Sequence, residues 1–144
     1  MRASVHRALR GTGASHSRLL YIQKCIEAFA GKTDASFTLE AHKFFWRKFL
    51  AKAILRKGAR ELLQELRQKE IKVAIVSDFT SAMQLRKMIH LGIAQYIDFL
   101  VTSEEAGKEK PDPHIFELAL EKLGLDFKQA VMVGDDYEKD IVGA

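Results

Sequence analysis

Apolar residues in the first part of the chain recur at the three- and four-residue spacing of helices. After a polar start over residues 1–17, this pattern predicts a helix over 18–30 that ends at Gly31, and a second helix over 39–55. Two consecutive helices, each with one apolar face, pack most simply as a hairpin. We therefore expect a poorly ordered N-terminal segment followed by a helical hairpin over 18–57.

From residue 58 onwards, amphipathic helices alternate with short apolar runs. The predicted elements are a helix over 59–69, a strand over 71–76, a helix over 81–91, a strand over 99–102, a helix over 113–123 and a strand over 130–133. Asp112 followed by Pro113 is typical of a helix start, with a cap and then a first-turn proline. This alternation predicts an α/β fold with a doubly wound, three-layer parallel sheet, whose ligands bind at the carboxyl ends of the strands.

Composition and charge narrow the class of protein. The chain has 144 residues, of which 47% are hydrophobic and 29% charged, as in a single folded domain. Cys25 is the single cysteine and cannot form an internal disulfide, so we expect a cytoplasmic protein. The net charge of +4 is uneven: residues 1–70 hold 15 Lys and Arg against 6 acids, and residues 71–144 hold 8 against 13. Because the basic residues are scattered along helices, we expect neither nucleic acid nor a membrane as a partner.

Polar residues follow the predicted strands at the edge where such a sheet binds ligands. Ser77 ends one strand, Lys110 lies in a later loop, Asp135 and Asp136 end the last strand, and Asp140 is on the next turn. A hydroxyl can donate to a phosphate oxygen, an ammonium group can offset its charge, and carboxylates are good magnesium ligands. Together these residues predict a magnesium phosphate site. Each alone also has a structural explanation, as a helix cap, a solvated lysine or a turn former.

Three ordered segments resemble motifs of the haloacid dehalogenase superfamily of hydrolases. Residues 73–78 are similar to its second motif, residues 110–116 to its third, and residues 133–141 to its fourth. The helices over 18–55 resemble the small cap that many members insert between the first and second motifs. The resemblance therefore implies a Rossmann-like core over 58–144 that carries a helical cap over 18–57.

The resemblance also implies an activity. Members of this kind are magnesium-dependent phosphatases that act on a small phosphorylated metabolite through an aspartyl-phosphate intermediate. By resemblance, Ser77 binds a phosphoryl oxygen and Lys110 steadies the nucleophile and the phosphate. Asp135 is the expected main magnesium ligand, assisted by Asp136 or Asp140. Dehalogenation is a related reaction that does not need magnesium.

Two positions near the expected site depart from the superfamily pattern. Asp78 stands where relatives often have Asn, and Lys139 also stands where Asn is common. Both changes alter charge near the phosphate and leave the substrate preference open. We expect Asp78 to contact substrate. Arg18, at the start of the cap, is a further expected contact for a phosphate or carboxylate.

The superfamily's first motif, a strand that ends in Asp-x-Asp, has no good counterpart in this sequence. Residues 1–17 contain no Asp, and the near-match over 34–38 has Ser36 in place of the second Asp. We expect Asp34 to lie in a loop between helices and not to act as a nucleophile. The prediction is therefore an N-terminally truncated fragment, inactive by itself.

The missing first motif also affects the predicted sheet, and it leaves open an alternative to a catalytic protein. The first-motif strand normally lies inside the sheet. Without it, the strands re-pair, an oligomer or a partner strand completes the sheet, or the fold is only marginally stable in isolation. The alternative to a catalytic parent protein is a non-catalytic fragment that retains a magnesium or phosphate-binding site.

Overall fold

The computed structural model describes residues 15–144, so the expected poorly ordered segment over 1–17 lies almost wholly outside the described residues. The main elements are α1 (Arg18–Ala30), α2 (Ala35–Leu50), α3 (Ala59–Gln68), β1 (Ala74–Ser77), α4 (Ser81–His90), β2 (Phe99–Thr102), α5 (Ser103–Ala106) and α6 (Pro113–Leu123). Short 3-10 turns lie at Ala94–Tyr96 and Phe127–Gln129, and a π-helical turn at Tyr137–Ile141. Within the described range, no helix combines the length and apolar character needed to cross a membrane.

The first two helices pack against each other as a hairpin, as their apolar faces predict. Ser17 caps α1 through its hydroxyl, and Gly31 ends that helix in the left-handed conformation at φ 70°. α2 begins four residues before its predicted start because the Asp34 carboxylate accepts the N–H of Phe37 at 2.9 Å. It ends at Leu50 rather than at residue 55, since the amides of Lys52 and Ala53 bond three residues back in a tighter turn.

The two strands form a parallel pair. Ala74 of β1 faces Phe99 of β2, and the register runs to Ser77 opposite Thr102. β1 starts three residues later than predicted because its partner strand, β2, begins only at Phe99. Just before β1, the Val73 carbonyl oxygen accepts the N–H of Asp98 at 2.8 Å. The α/β class is therefore confirmed, with a small parallel sheet.

The core lies between the sheet and α6. Val101 and Ile115 are fully buried and pack with Ala119. α6 begins as its sequence predicts, because the Asp112 carboxylate accepts the N–H of His114 at 3.0 Å and a proline occupies the first turn. This packing anchors the loop that carries Lys110 beside β1.

The predicted third strand, over 130–133, is wrong. Among the described residues the sheet has two strands, and this segment does not pair with either of them. Val131 and Val133 are 89% and 82% exposed. A strand needs a hydrogen-bonded neighbour, and within residues 15–144 this apolar segment of high strand propensity has none, so propensity alone does not make it a strand.

Candidate active site

The carboxyl end of β1 places the Ser77 hydroxyl at the start of the site. The Ser77 carbonyl oxygen accepts the N–H of Phe79 at 2.8 Å, and this hydrogen bond turns the chain sharply after the strand. Gln84, on the first turns of α4, donates its side-chain N–H to the Ser77 hydroxyl oxygen. Because that oxygen already accepts a hydrogen bond, the hydroxyl proton is available to a ligand.

Lys110 is fixed at both its backbone and its side chain. Its N–H donates to Oδ1 of Asp78 at 2.7 Å, and its ammonium nitrogen lies 2.5 Å from Oδ1 of Asp140. The side chains of Lys110 and Asp140 are only 12% and 6% exposed. Three segments far apart in the sequence are thus joined around one lysine at the end of β1.

Asp140 is held as a carboxylate. The hydrogen bond from Lys110 lowers the pKa of Asp140, and the backbone N–H of Asp136, at 3.1 Å from Oδ2, lowers it further against the opposing effect of burial. The carboxyl group also lies directly against Gly134, where any side chain would collide with it. The glycine before the two aspartates therefore makes room for this ion pair.

Asp78 and Lys139, the two residues that depart from the superfamily pattern, contact each other. Nζ of Lys139 donates to Oδ2 of Asp78 at 2.8 Å, and the Asp78 side chain is 9% exposed. Burial by itself lowers the pKa of Lys139, but the hydrogen bond and the charge of Asp78 outweigh it, so the pKa is raised above its usual value. The two changed charges therefore neutralise one another at the site.

The three expected magnesium ligands do not converge. The Asp135 side chain is 84% exposed and pairs with Arg56 at 3.2 Å. Asp136 caps the turn that follows it, accepting the N–H of Lys139 at 3.1 Å. Asp140 is paired with Lys110, and nowhere in residues 15–144 do three or more His, Cys, Asp or Glu residues form a group that could hold a metal. The described residues alone do not fit a magnesium ion, and the metal roles of these acids stay predictions.

The helical hairpin meets this end of β1 through aromatic rings. Phe79 contacts Trp46 of α2 edge to face, with ring centroids 5.7 Å apart, and Trp46 is almost fully buried. Nζ of Lys87 on α4 lies 4.3 Å from the centroid of the Phe79 ring and 5.7 Å from that of Phe49 on α2. The residues after Ser77 therefore lie directly beneath the hairpin.

The remaining expected residues lie at the edge of this arrangement. Asp34 caps α2 and is not at the end of a strand, as expected for a residue that is not the nucleophile. Arg18 begins α1, with its guanidinium carbon 5.4 Å from the centroid of the Tyr21 ring. Its contact with substrate stays a prediction.

Sequence reasoning missed Gln84 and Lys87. Both lie on α4, three residues apart, and that spacing on a predicted helix could have placed them on one face below the site.

The chain is similar to known proteins in both sequence and fold. A family profile described as haloacid dehalogenase-like hydrolase matches residues 10–144. The chain belongs to the haloacid dehalogenase-like hydrolases. It is 39% identical over 143 residues to ribulose-1,5-bisphosphate 5-phosphatase of Halopiger xanaduensis, and 40% identical over 82 residues to glyceraldehyde 3-phosphate phosphatase of Methanothermobacter thermautotrophicus.

These relatives are longer than the chain. The first match covers 99% of this chain and 60% of the relative, and the second covers 57% of this chain and 36% of the relative. Among solved structures, a HAD phosphatase from Thermococcus onnurineus superposes with a TM-score of 0.71 at 25% identity, over 99% of this chain and 60% of that protein. A 2-haloacid dehalogenase from Pseudomonas syringae shares the fold, with a TM-score of 0.72 at 22% identity over 99% of this chain and 62% of its own. The resemblance seen in the motifs and the expected Rossmann-like fold class are confirmed.

Proposed function

We propose that this chain is part of a phosphatase that hydrolyses a phosphate ester of a small metabolite. The observation that carries the proposal is the meeting of the Ser77 hydroxyl, at the end of β1, with the Lys110 loop that Asp78 and Asp140 hold beside it. The names of the relatives support the phosphatase branch of the family.

Each residue has a role in this proposal. The Ser77 hydroxyl donates to a non-bridging phosphate oxygen, since Gln84 already donates to its oxygen and its proton is available. Lys110 offsets the negative charge of the phosphoryl group, and Asp140 keeps its ammonium in place. Asp78 fixes the backbone of Lys110 and lies within reach of substrate at the same edge.

The proposed reaction has two steps. An aspartate oxygen attacks phosphorus, the ester P–O bond breaks, and the leaving oxygen takes a proton from a general acid to become the alcohol. Water then gives a proton back to that group, attacks the aspartyl-phosphate, and releases phosphate and the free carboxylate; we propose that the acid comes from the same segment as the nucleophile. Asp78 and Asp140 are both engaged by lysines, and Asp34 caps a helix. Residues 1–14 contain no Asp. We propose that the nucleophile comes from a segment other than these 144 residues, so that the chain is inactive by itself.

We propose magnesium as a cofactor of a longer protein that contains this chain, and not of these residues alone. When bound, it would neutralise charge on the phosphoryl group, with Asp135 as the main ligand and Asp136 or Asp140 assisting. The exposed carboxylate of Asp135 is the one of the three least engaged in the fold, since its single ion pair is at the surface.

The proposal also covers the partners of the protein and its location in the cell. The substrate is a small phosphorylated metabolite in the cytoplasm, and neither nucleic acid nor a membrane takes part. Val131 and Val133 are exposed beside the site segment, which favours an oligomer or a partner strand that covers them.

The proposal is tested by binding and by turnover. Isothermal titration should show that butyl phosphate binds the 144-residue chain, and that Ser77→Ala weakens the affinity about tenfold while Lys128→Met, at a distant exposed lysine, does not. Lys110→Arg should retain part of the affinity because the charge remains. Thermal melting checks that each variant is folded.

Turnover separates the proposed truncated enzyme from a chain that carries its own nucleophile. A panel of sugar and nucleotide monophosphates with magnesium should yield no phosphate from the chain by itself. Phosphate release that survives Asp34→Asn but is lost in Asp135→Asn would show that the nucleophile lies within the chain. Binding of butyl phosphate that Ser77→Ala leaves unchanged would exclude the proposed phosphate position, and no binding at all would exclude the proposed function.

A further inference from the structure

Lys87 is a half-buried lysine at the junction between the helical hairpin and the core. Its ammonium group lies 4.3 Å from the Phe79 ring centroid on the core side and 5.7 Å from the Phe49 ring centroid on the hairpin side. A cation over aromatic faces is stabilised by less than the cost of removing an ammonium group from water. The position is therefore suited to a further, negatively charged partner.

The described residues do not supply that partner. Among the ion pairs formed within residues 15–144, none includes Lys87 or Arg18. Burial lowers the pKa of Lys87, and the positive charge of Arg18 lowers it further. The positive charge of Arg18 thus adds to the cost of keeping Lys87 charged, and a bound anion would offset that cost.

Arg18 reaches this junction from the hairpin side. It is the first residue of α1, and His16, two residues before it, has its ring centroid 6.0 Å from that of Phe79. Phe79 is therefore bordered by Lys87 on α4 and by the segment that leads into Arg18. The two basic residues come from different elements: Lys87 lies over the Phe79 ring, and Arg18 follows His16, which borders the same ring.

The position of Lys87 relative to Ser77 is set by α4. Gln84 contacts the Ser77 hydroxyl, and Lys87 follows three residues later on the same face, about 4.5 Å further along the helix. An anion at Lys87 would thus lie near, but separate from, a phosphate at Ser77. A short carbon chain can join the two positions.

We propose that Lys87 and Arg18 bind a second anionic group of the substrate, a phosphate or a carboxylate at the end remote from the reacting phosphate. This inference rests on the proposed function, because it assumes that the reacting phosphate lies at Ser77. It narrows the substrate class to phosphate esters of small metabolites that carry an additional negative charge.

Three probes that share one butyl chain test the inference. Butyl phosphate has an uncharged end, and its two counterparts end in a second phosphate or in a carboxylate. Isothermal titration of the 144-residue chain should show about tenfold tighter binding of at least one doubly charged probe than of butyl phosphate. The comparison between the two identifies which anion the subsite prefers.

The variants assign the gain to Lys87. Lys87→Met keeps the apolar stem and should remove the gain while leaving the affinity for butyl phosphate unchanged, and Lys87→Arg should retain it. Arg18→Gln should remove part of the gain. Lys128→Met is the matched control, because Lys128 also lies over a phenylalanine ring, 5.6 Å from the Phe127 centroid, but away from the site.

The outcomes separate this inference from the proposed function. Equal binding of all three probes, or a doubly charged probe that binds Lys87→Met as tightly as wild type, overturns the second subsite while leaving the phosphate site intact. A gain that depends on Lys87 but is indifferent to Ser77→Ala supports an anion site at Lys87 and overturns the phosphate position at Ser77. If Lys87→Met melts far below wild type, Lys87→Gln is used in its place. The same loss of the affinity gain for the doubly charged probe is expected for that variant.

Discussion

Replacing Asp78 with Asn should destabilise the fold through Lys139. The substitution keeps the shape of the side chain and an oxygen that can still accept the N–H of Lys110, which now bonds at 2.7 Å. It removes the negative charge that lies 2.8 Å from Nζ of Lys139. The substitution therefore removes one charge and one hydrogen-bond acceptor, both of which act on Lys139, between segments that are 61 residues apart.

The size of the effect follows from distance and exposure. At 2.8 Å, two unit charges attract by about 6 kcal/mol at an effective dielectric constant of about 20, and by about 1.5 kcal/mol in bulk water. The Lys139 side chain is 36% exposed and that of Asp78 is 9% exposed, so water partly screens the pair. Because desolvation offsets much of the attraction, we expect a coupling free energy of about 1–2 kcal/mol.

A double-mutant cycle measures this coupling. Urea unfolding of the wild type, Asp78→Asn, Lys139→Met and the double variant gives four free energies of unfolding, and the double variant should be more stable than the sum of the single effects implies. The matched control is the cycle of Arg56→Met with Asp135→Asn. That pair has a similar separation, 3.2 Å, but its side chains are 87% and 84% exposed, so we expect a coupling below about 0.5 kcal/mol.

Salt and additivity decide the outcome. Raising sodium chloride to about 1 M should remove the coupling of the exposed pair and leave most of the coupling between Asp78 and Lys139. If the effects of Asp78→Asn and Lys139→Met add within about 0.3 kcal/mol, the two residues are not coupled and the reasoning is refuted. A coupling equal to that of the exposed control would refute the role given to burial.

Four further predictions test the fold and the site. Ile115→Ala should lower the free energy of unfolding by about 3 kcal/mol, because a fully buried side chain leaves a cavity; a loss below about 1 kcal/mol in urea unfolding would contradict this packing. Asp34→Ala should cost about 1 kcal/mol as a lost helix cap and leave the affinity for butyl phosphate unchanged; weaker binding in titration would give Asp34 a role in the site. The pKa of His42 is lowered from 6.5 by burial and by the charge of Arg86, and its Nε2 accepts the Trp46 indole N–H at 2.9 Å, which requires the neutral ring. Stability should therefore be complete above about pH 6.5 and decline as the pH falls from there towards the lower pKa of the folded state, and His42→Gln should reduce the difference in urea midpoint between about pH 8 and about pH 5. Magnesium at about 5 mM should raise the melting temperature of the chain by less than about 1 °C, since Asp135 and Asp140 are paired with cations; a larger rise that Asp135→Asn removes would show a metal site already formed.

The sequence predicts those features that depend on neighbouring residues. Asp112 and Pro113 start α6 and Gly124 ends it because capping and backbone conformation are local properties. The same holds for Arg18–Ala30, whose apolar spacing and following glycine define the helix. The ordered motifs likewise placed Ser77 and Lys110 at one edge of the sheet, since parallel strands end on the same side.

Other features depend on partners that are distant in the sequence. Residues 130–133 have the composition of a strand, yet a strand exists only beside another strand, and none pairs with them in residues 15–144. The start of β1 is similarly set by where β2 begins. Residue patterns report the preference of a segment, while pairing is a property of the whole fold.

The amino-acid sequence by itself determined the family, the helices Arg18–Ala30 and Pro113–Leu123 with their caps, and the residue types at the carboxyl end of β1. The tertiary structure decided which charges meet: it pairs Asp78 with Lys139 and Lys110 with Asp140, and it places Lys87 between Phe79 and Phe49. Electrostatic energy depends on distance and burial, and folding brings together charges 30 to 61 residues apart. The sequence thus shows which groups are available, and the fold determines which of them remain free to bind an anion.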